Sequence, residues 1–310
     1  MAQFTQLDLA RARRIAARYG IRSVAGVQPL AAGTINSNFR LDTERGPLFL
    51  RVNEGKAGDE VAYEAALVTF LADGGVATPR PLVTSDGAPA ADEGGLLVTL
   101  FPWSSGHHHE PPAPADCAAV GRALARLHAV GAAFPDRRVS RYAYPRIVER
   151  ARGLAGAPAH VAEAVADVGE ELEALAGFDP PVDGVVHNDL FPDNVLFGPD
   201  GAVLLDFEQA SGGSFVYDLA VVLCSWCWTG RFVPERVAAL VGAYGPVDDR
   251  ALYDAARFAA VRFTVTRLTD VELDPRVQPE VRAVKDYRDF WARMAALRAL
   301  GPDGFAALTR

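Results

Sequence analysis

An α+β protein in two parts is the fold class the sequence predicts, on three observations. Strand-like apolar runs gather in the first third of the chain, helical periodicity fills the rest, and a proline-rich polar connector separates them. With 310 residues, half of them hydrophobic, the chain can build a sizeable core as one large or two modest domains. In the first part GTINSNFRLDT, GPLFLRVNEG and GGLLVTLFPW are apolar runs bounded by Gly, Pro or polar turn residues, and read as strands. One helix, from Asp59 to Asp73, interrupts them, its Val61, Ala65, Val68 and Leu71 falling at spacings of three and four residues. The expected order is therefore strand, strand, helix, strand.

The segment SSGHHHEPPAPAD has the composition of a connector, and helical periodicity begins just after its last residue, Asp116, which is the expected N-cap. This divides the chain into a first domain at 1–103, a connector at 104–115 and a helical domain at 116–310. His107, His108 and His109 are adjacent, so their rings point in different directions and read as a solvated loop, not a chelate. Beyond Asp116, helices are expected in CAAVGRALARLHAVG, YPRIVERARGLAG, HVAEAVADVGEELEALAG, FVYDLAVVLCSWCW, PERVAALVGAYG, DRALYDAARFAAVRFTVTRLTDV and VRAVKDYRDFWARMAALRAL. Among them VVH, NVLF and AVLLDF read as short strands.

Composition narrows the function. Lys and Arg number 31 against 39 Asp and Glu, and a net charge of −8 supplies no broad basic surface for nucleic acid. No run approaches the ~20 apolar residues of a membrane span, and the opening MAQFTQLDLARARR carries charges where a signal peptide would be apolar, so a cytoplasmic protein is expected. Cys117, Cys224 and Cys227 cannot all pair, and CSWC lies in an apolar helical run without a second CxxC, so the three read as reduced core thiols.

The polar residues of VVHNDLFPDNVLF, set between apolar runs, call for a chemical reason. Asp189 precedes Asn194 by five residues, and Asp206 follows a GPDG turn expected to fold one strand back on the other, bringing three oxygen donors together. Carboxylate and amide oxygens suit a hard cation, and Mg²⁺ takes few protein ligands and completes its shell with water and substrate phosphates. A magnesium–nucleotide site is the expectation.

The combination HNDLFPDN, NVLF, LLDFE and YDLA resembles the catalytic core of the protein-kinase superfold. Over nearly the whole chain the sequence is similar to the aminoglycoside phosphotransferase and choline kinase superfamily. Within it, HNDLFPDNVLF, LLDF, VYDLAVVLCSWCW and RFTVTRL, with GTINSNF, TPRPLVTSDG and CAAVGRALARLHAVG, most resemble type II homoserine kinases. The resemblance implies a bilobal protein-kinase-like fold, with a small antiparallel-sheet N-lobe carrying one main helix and a larger, mostly helical C-lobe. It also implies ATP and Mg²⁺ as cofactors and a small-molecule alcohol as acceptor, in a monomer or homodimer. Asp189 becomes the catalytic base, His187 a buttress of its loop, Asn194 and Asp206 the magnesium ligands, and Asp218 a structural acid accepting from catalytic-loop backbone.

On the nucleotide side, GTINSNF stands at the glycine-rich loop with a single glycine, Gly33, leaving Thr34, Asn36 and Asn38 as side-chain donors. Arg51 takes the place of the strand lysine, and Glu64 on the following helix is placed to pair with it. Adenine is expected against backbone from Thr99 to Phe101. For the acceptor, homoserine would need an acid for its ammonium, Glu208, and a base for its carboxylate, Arg262 or Arg267; its phosphorylation serves threonine biosynthesis. An aminoglycoside would instead use Asp270, Glu272 and Asp274, and choline an aromatic cage of Tyr217, Trp226 and Trp228. A non-catalytic nucleotide-binding scaffold is disfavoured, since the base and both metal ligands are present.

Overall fold

Strand alternation sets up two faces in the N-terminal sheet. The structure is a computed structural model describing residues 5–30, 36–199 and 201–310, and it divides into two units, Met1–Gly106 with Val203–Glu208, and His107–Ala202 with Gln209–Arg310. The first unit contains α1 (Leu9–Arg18), β1 (Val24–Leu30), β2 (Ser37–Thr43), β3 (Gly46–Asn53), α2 (Gly58–Asp73), β4 (Ala91–Asp92) and β5 (Leu97–Pro102). Its strands form one antiparallel sheet in the order β1-β2-β3-β5-β4. Leu50 of β3 faces Leu100 of β5, and Val52 faces Val98; these pairs join Ile15 and Tyr19 of α1 in one buried core. By alternation Arg51 and Thr99, also directly paired, point to the opposite face, where Glu64 of α2 meets Arg51. A one-residue slip of register would exchange the two faces, which fixes the pairing.

The helix α1 and the strand β1 were not expected from the sequence. Ala12, Ile15, Ala16 and Tyr19 form the buried stripe of α1, but five arginines between Arg11 and Arg22 obscure it. Asp8 caps it, accepting from the Arg11 N–H at 2.7 Å. Pro29 and Gly26 broke the strand pattern of β1, and both are tolerated because β1 is the sheet's edge.

The second unit holds α3 (Pro114–Gly131), α4 (Tyr144–Arg152), α5 (Ala162–Ala174), β6 (Gly184–Val186), β7 (Val195–Gly198), the start of β8 (Gly201–Leu204), β9 (Ser211–Gly213), α6 (Phe215–Trp226), α7 (Pro234–Tyr244), α8 (Asp249–Arg267), α9 (Pro279–Val284) and α10 (Arg288–Ala306). Asp116 is not the N-cap of α3. Ala113 holds that place, Pro114 opens the helix, and the Asp116 carboxylate reaches back to accept the Ala113 N–H at 2.7 Å. The last expected helix is in fact two, α9 and α10, and β9, which pairs with β6, was not foreseen. Gly121 allows α3 to press on α7, since a Cβ there would lie 2.4 Å from the Leu240 carbonyl oxygen.

The linear division at 103 and 116 differs from the spatial one. Val203–Glu208 groups with the first unit, because the Leu204 N–H donates to the Ala77 carbonyl at 2.8 Å and Asp206 pairs with Arg51. The three adjacent histidines diverge as expected: His107 bridges to Phe197 backbone, His108 Nδ1 lies 2.9 Å from the Val195 carbonyl, and His109 Nδ1 lies 2.8 Å from Asp116. All three cysteines are free and buried. Among the described residues no helix is long and apolar enough to cross a membrane.

Candidate active site

Strand β6 runs buried into His187, and the chain must then turn sharply to bring Asp189 toward solvent. Asn188 makes that turn with φ 66°, a left-handed conformation that costs a non-glycine residue about 1–3 kcal/mol and persists only where its surroundings impose it. They do. The His187 and Asn188 N–H groups donate to the two Asp218 carboxylate oxygens at 2.8 and 2.7 Å, and Asn188 Nδ2 donates to the Gln209 carbonyl at 3.0 Å and Ser211 Oγ at 2.8 Å. After the turn, Trp226 Nε1 donates to the Leu190 carbonyl at 2.9 Å. The α6 residues Asp218 and Trp226 thus hold the loop on both sides of Asp189.

Asp218 therefore does what the resemblance implied, accepting from catalytic-loop backbone. A partner that the sequence reading missed, His128 of α3, completes its shell. Its Nε2 lies 3.0 Å from Asp218 Oδ2, its Nδ1 lies 2.9 Å from the Tyr244 hydroxyl, and its ring stacks on Phe215. Burial pushes the Asp218 pKa up, but His128, His187 and the loop N–H groups outweigh it, leaving the carboxyl below the usual range. The one available signal was a histidine on the apolar face of CAAVGRALARLHAVG.

Asp189 keeps 35% of its side chain exposed. Desolvation by its surroundings still pushes its pKa up, opposed first by Arg262 and then by His187 and Lys285. Asn194 ends a tight turn, Pro192–Asn194, and its Nδ2 donates to the Asp189 carbonyl at 2.7 Å, which turns the amide nitrogen inward and leaves Oδ1 as the group suited to a cation. Its neighbour Asp193 is exposed.

Arg262 departs from its expected role as a substrate ligand. Only 2% exposed, its guanidinium lies 3.6 Å from the Tyr142 ring centroid and 3.7 Å from that of Phe263. Its Nη1 donates to the Asn188 carbonyl at 3.3 Å and stands 3.8 Å from Asp189 Oδ1, so Arg262 holds the loop and Asp189 instead of waiting for a ligand. Arg267, on the same helix, is more open; its Nη1 donates to the Asp286 carbonyl at 2.6 Å and its guanidinium lies over Phe290. The Tyr217 hydroxyl is buried without a hydrogen-bond partner, and burial raises its pKa, keeping it a proton donor. Trp226, a candidate for an aromatic cage, is fully buried core.

In the first unit, Arg51 Nη1 donates to Glu64 Oε1 at 2.8 Å and Nη2 lies 3.4 Å from Asp206 Oδ1. The guanidinium packs 5.6 Å from the Phe101 ring centroid, and Asn53 Nδ2 donates to Thr99 Oγ1 at 3.0 Å on the same face. Arg51, Asn53, Glu64, Thr99 and Phe101 line a small recess together with Val61 and Ala65. Asp206, like Asn188, has a left-handed φ, here 60°. Lys56, not foreseen, reaches Glu64 Oε2 at 3.3 Å and Glu208 Oε2 at 2.9 Å, and Asn36 Nδ2 also donates to Glu208 at 2.9 Å. Glu208 was expected to take the acceptor's ammonium, but its carboxylate is occupied by a lysine and an amide of its own chain. Burial raises its pKa, but Lys56 and Arg51 outweigh that and the net shift is downward. Asn38 sits opposite Arg51 in the β2–β3 ladder; Gly33 and Thr34 lie outside the described residues.

Residues 26–259 match the model of the phosphotransferase enzyme family. The chain belongs to that family. This phosphotransferase is 34% identical over 315 residues to a homoserine kinase of Gluconacetobacter diazotrophicus, covering 96% of this chain and 97% of the relative. Its fold is similar to that of a spectinomycin phosphotransferase solved with ADP and spectinomycin, with a TM-score of 0.73, 17% identity, and 92% and 97% of the two chains covered. It is also similar to a choline/ethanolamine kinase family protein of Mesorhizobium loti, with a TM-score of 0.66, 24% identity and 97% and 98% covered. The fold is thus protein-kinase-like, and the phosphotransferase is an enzyme that moves phosphate to an alcohol of a small molecule.

Proposed function

We propose that this phosphotransferase transfers the γ-phosphoryl group of ATP to the side-chain hydroxyl of L-homoserine, giving O-phospho-L-homoserine. The observation that carries the chemistry is the held Asp189 loop: a partly exposed carboxylate, delivered by a strained Asn188 and backed by a buried arginine. Asp189 accepts the hydroxyl proton as the oxygen attacks phosphorus in line, and its raised pKa makes it a better proton acceptor than an ordinary aspartate. Asn194 offers an amide oxygen and Asp206 a carboxylate, each a donor of the kind that suits a hard cation, and each would serve as a ligand for Mg²⁺. Bound there, Mg²⁺ would neutralise charge on the phosphates. Arg51, tied to Glu64 and Asp206, orients the phosphates.

The homoserine relative over nearly the whole chain supports the acceptor. For the acceptor's carboxylate, Arg267 is favoured over Arg262, since its side chain is 14% exposed against 2% and Asp189 acts on its charge. The unpartnered Tyr217 hydroxyl is a further donor. With ATP as donor, the reaction belongs to the cytoplasm.

The test is ADP release over homoserine, other hydroxylated amino acids, choline and aminoglycosides, with the product's mass. Homoserine should be turned over best; an enzyme inert to it at millimolar concentration but active on another alcohol would retire the acceptor. Asp189→Asn should lower kcat by about 10²- to 10⁴-fold while ATP binding persists. It should not lower Tm, because the surroundings on balance disfavour the carboxylate at neutral pH. Near wild-type turnover would exclude Asp189 as the base.

A further inference from the structure

Charges in the first unit form an alternating chain. Asp206, Arg51, Glu64, Lys56 and Glu208 follow one another at 3.4, 2.8, 3.3 and 2.9 Å, two cations against three carboxylates. Lys56 has 15% of its side chain exposed and Glu208 has 10%, so this is not a surface pair that solvent would screen. Taking such charges out of water is costly, and the one excess carboxylate would be balanced by a further cation, such as the Mg²⁺ that Asp206 would hold.

The two cations are unlike. Arg51 is packed over the Phe49 and Phe101 rings, with one terminal nitrogen on Glu64 and the other on Asp206. Lys56 stands on the short turn between β3 and α2, and is one of two lysines in a chain with 31 Lys and Arg. An ammonium has three donors on a rotatable stem, and Glu64 and Glu208 account for two. It can keep a carboxylate while turning a proton to a new anion, whereas the guanidinium of Arg51, held on both terminal nitrogens, has its remaining N–H donors fixed in direction.

We propose that Lys56 is a second phosphate-binding cation of this enzyme, contacting the nucleotide's phosphates beside Arg51, and that Glu208 is the positioning residue that holds its ammonium. This rests on the nucleotide-dependent phosphotransfer read above and not on the identity of the acceptor. Glu208 then acts on the ATP side of the reaction.

Direct binding of ATP and of adenosine to the full-length enzyme, followed by separate KM values for ATP and acceptor, tests it. Lys56→Met should weaken ATP about tenfold or more and leave adenosine unchanged, because only the phosphates lose a charge-assisted contact. Lys56→Arg should recover part of the loss. Glu208→Gln should raise the KM for ATP without moving that for the acceptor. Unchanged adenosine affinity certifies that each variant is folded. Wild-type ATP affinity in Lys56→Met would overturn the proposal, as would a Glu208→Gln enzyme with a raised acceptor KM and an unaltered KM for ATP. The binding arm contains no acceptor, so it stands even if homoserine proves to be the wrong alcohol.

Discussion

Replacing Arg262 with glutamine should move the acidic limb of the pH–rate profile upward. Burial is the largest influence on Asp189 and pushes its pKa up; Arg262 opposes this most, followed by His187 and Lys285, while Asp193 adds to the rise. With Arg262 Nη1 3.8 Å from Asp189 Oδ1, two unit charges interact by ~4 kcal/mol at an effective dielectric of 20. About a third of the Asp189 side chain meets water, and screening brings this to ~1–2 kcal/mol. The sign follows from the chemistry. The base works as carboxylate, so kcat/KM falls as pH drops through its pKa; the wild-type limb should lie above the ordinary aspartate value of ~3.9, and the Arg262→Gln limb higher still. Arg262→Lys retains the charge but not the stacked fork that reaches the Asn188 carbonyl, so its limb should stay near wild type while kcat falls. The assay is product formation by mass from about pH 4.5 to pH 8. A limb in Arg262→Gln that coincides with wild type, with only kcat reduced, would show that Arg262 acts through loop geometry alone and would refute the electrostatic argument.

Asp218→Asn leaves one loop N–H facing an amide NH₂ and removes a charge-assisted acceptor, so stability should fall by ~1.5–3 kcal/mol and Tm by several degrees. Because the folded-state pKa of Asp218 is lowered, its contribution is complete above the unfolded value of ~3.9 and lost as pH falls through the folded value; the Tm gap from wild type should close below about pH 4. Equal melting at neutral pH would count against this role. Gly121→Ala should cost ~1–3 kcal/mol by driving α3 from α7, with kcat per folded molecule unchanged; a wild-type Tm would mean the helices absorb the methyl group.

The sequence by itself determined the polar loop around Asp189, because Asp189, Asn194 and their apolar flanks fall within one short stretch whose chemistry is local. It also determined the Arg51–Glu64 pair. These residues are 13 apart, on a strand and the helix that follows it, and alternation and helical period aim them at each other with few alternatives. The order of most elements was legible for the same reason. Tertiary structure alone decided what the polar residues touch across long separations. His128 reaches Asp218 over 90 positions, Arg262 reaches Asn188 over 74, and Asn36 reaches Glu208 over 172. A charge in a sequence has many possible partners, and only the folded chain selects one. Glu208 therefore looked like a ligand for an external ammonium until Lys56 was found on it, and Arg262 like a substrate clamp until its guanidinium was found closed between two rings. The same holds for Asn188. Its left-handed turn is imposed by Asp218, Gln209 and Ser211, all at least 21 residues away, and nothing in its own neighbourhood required it.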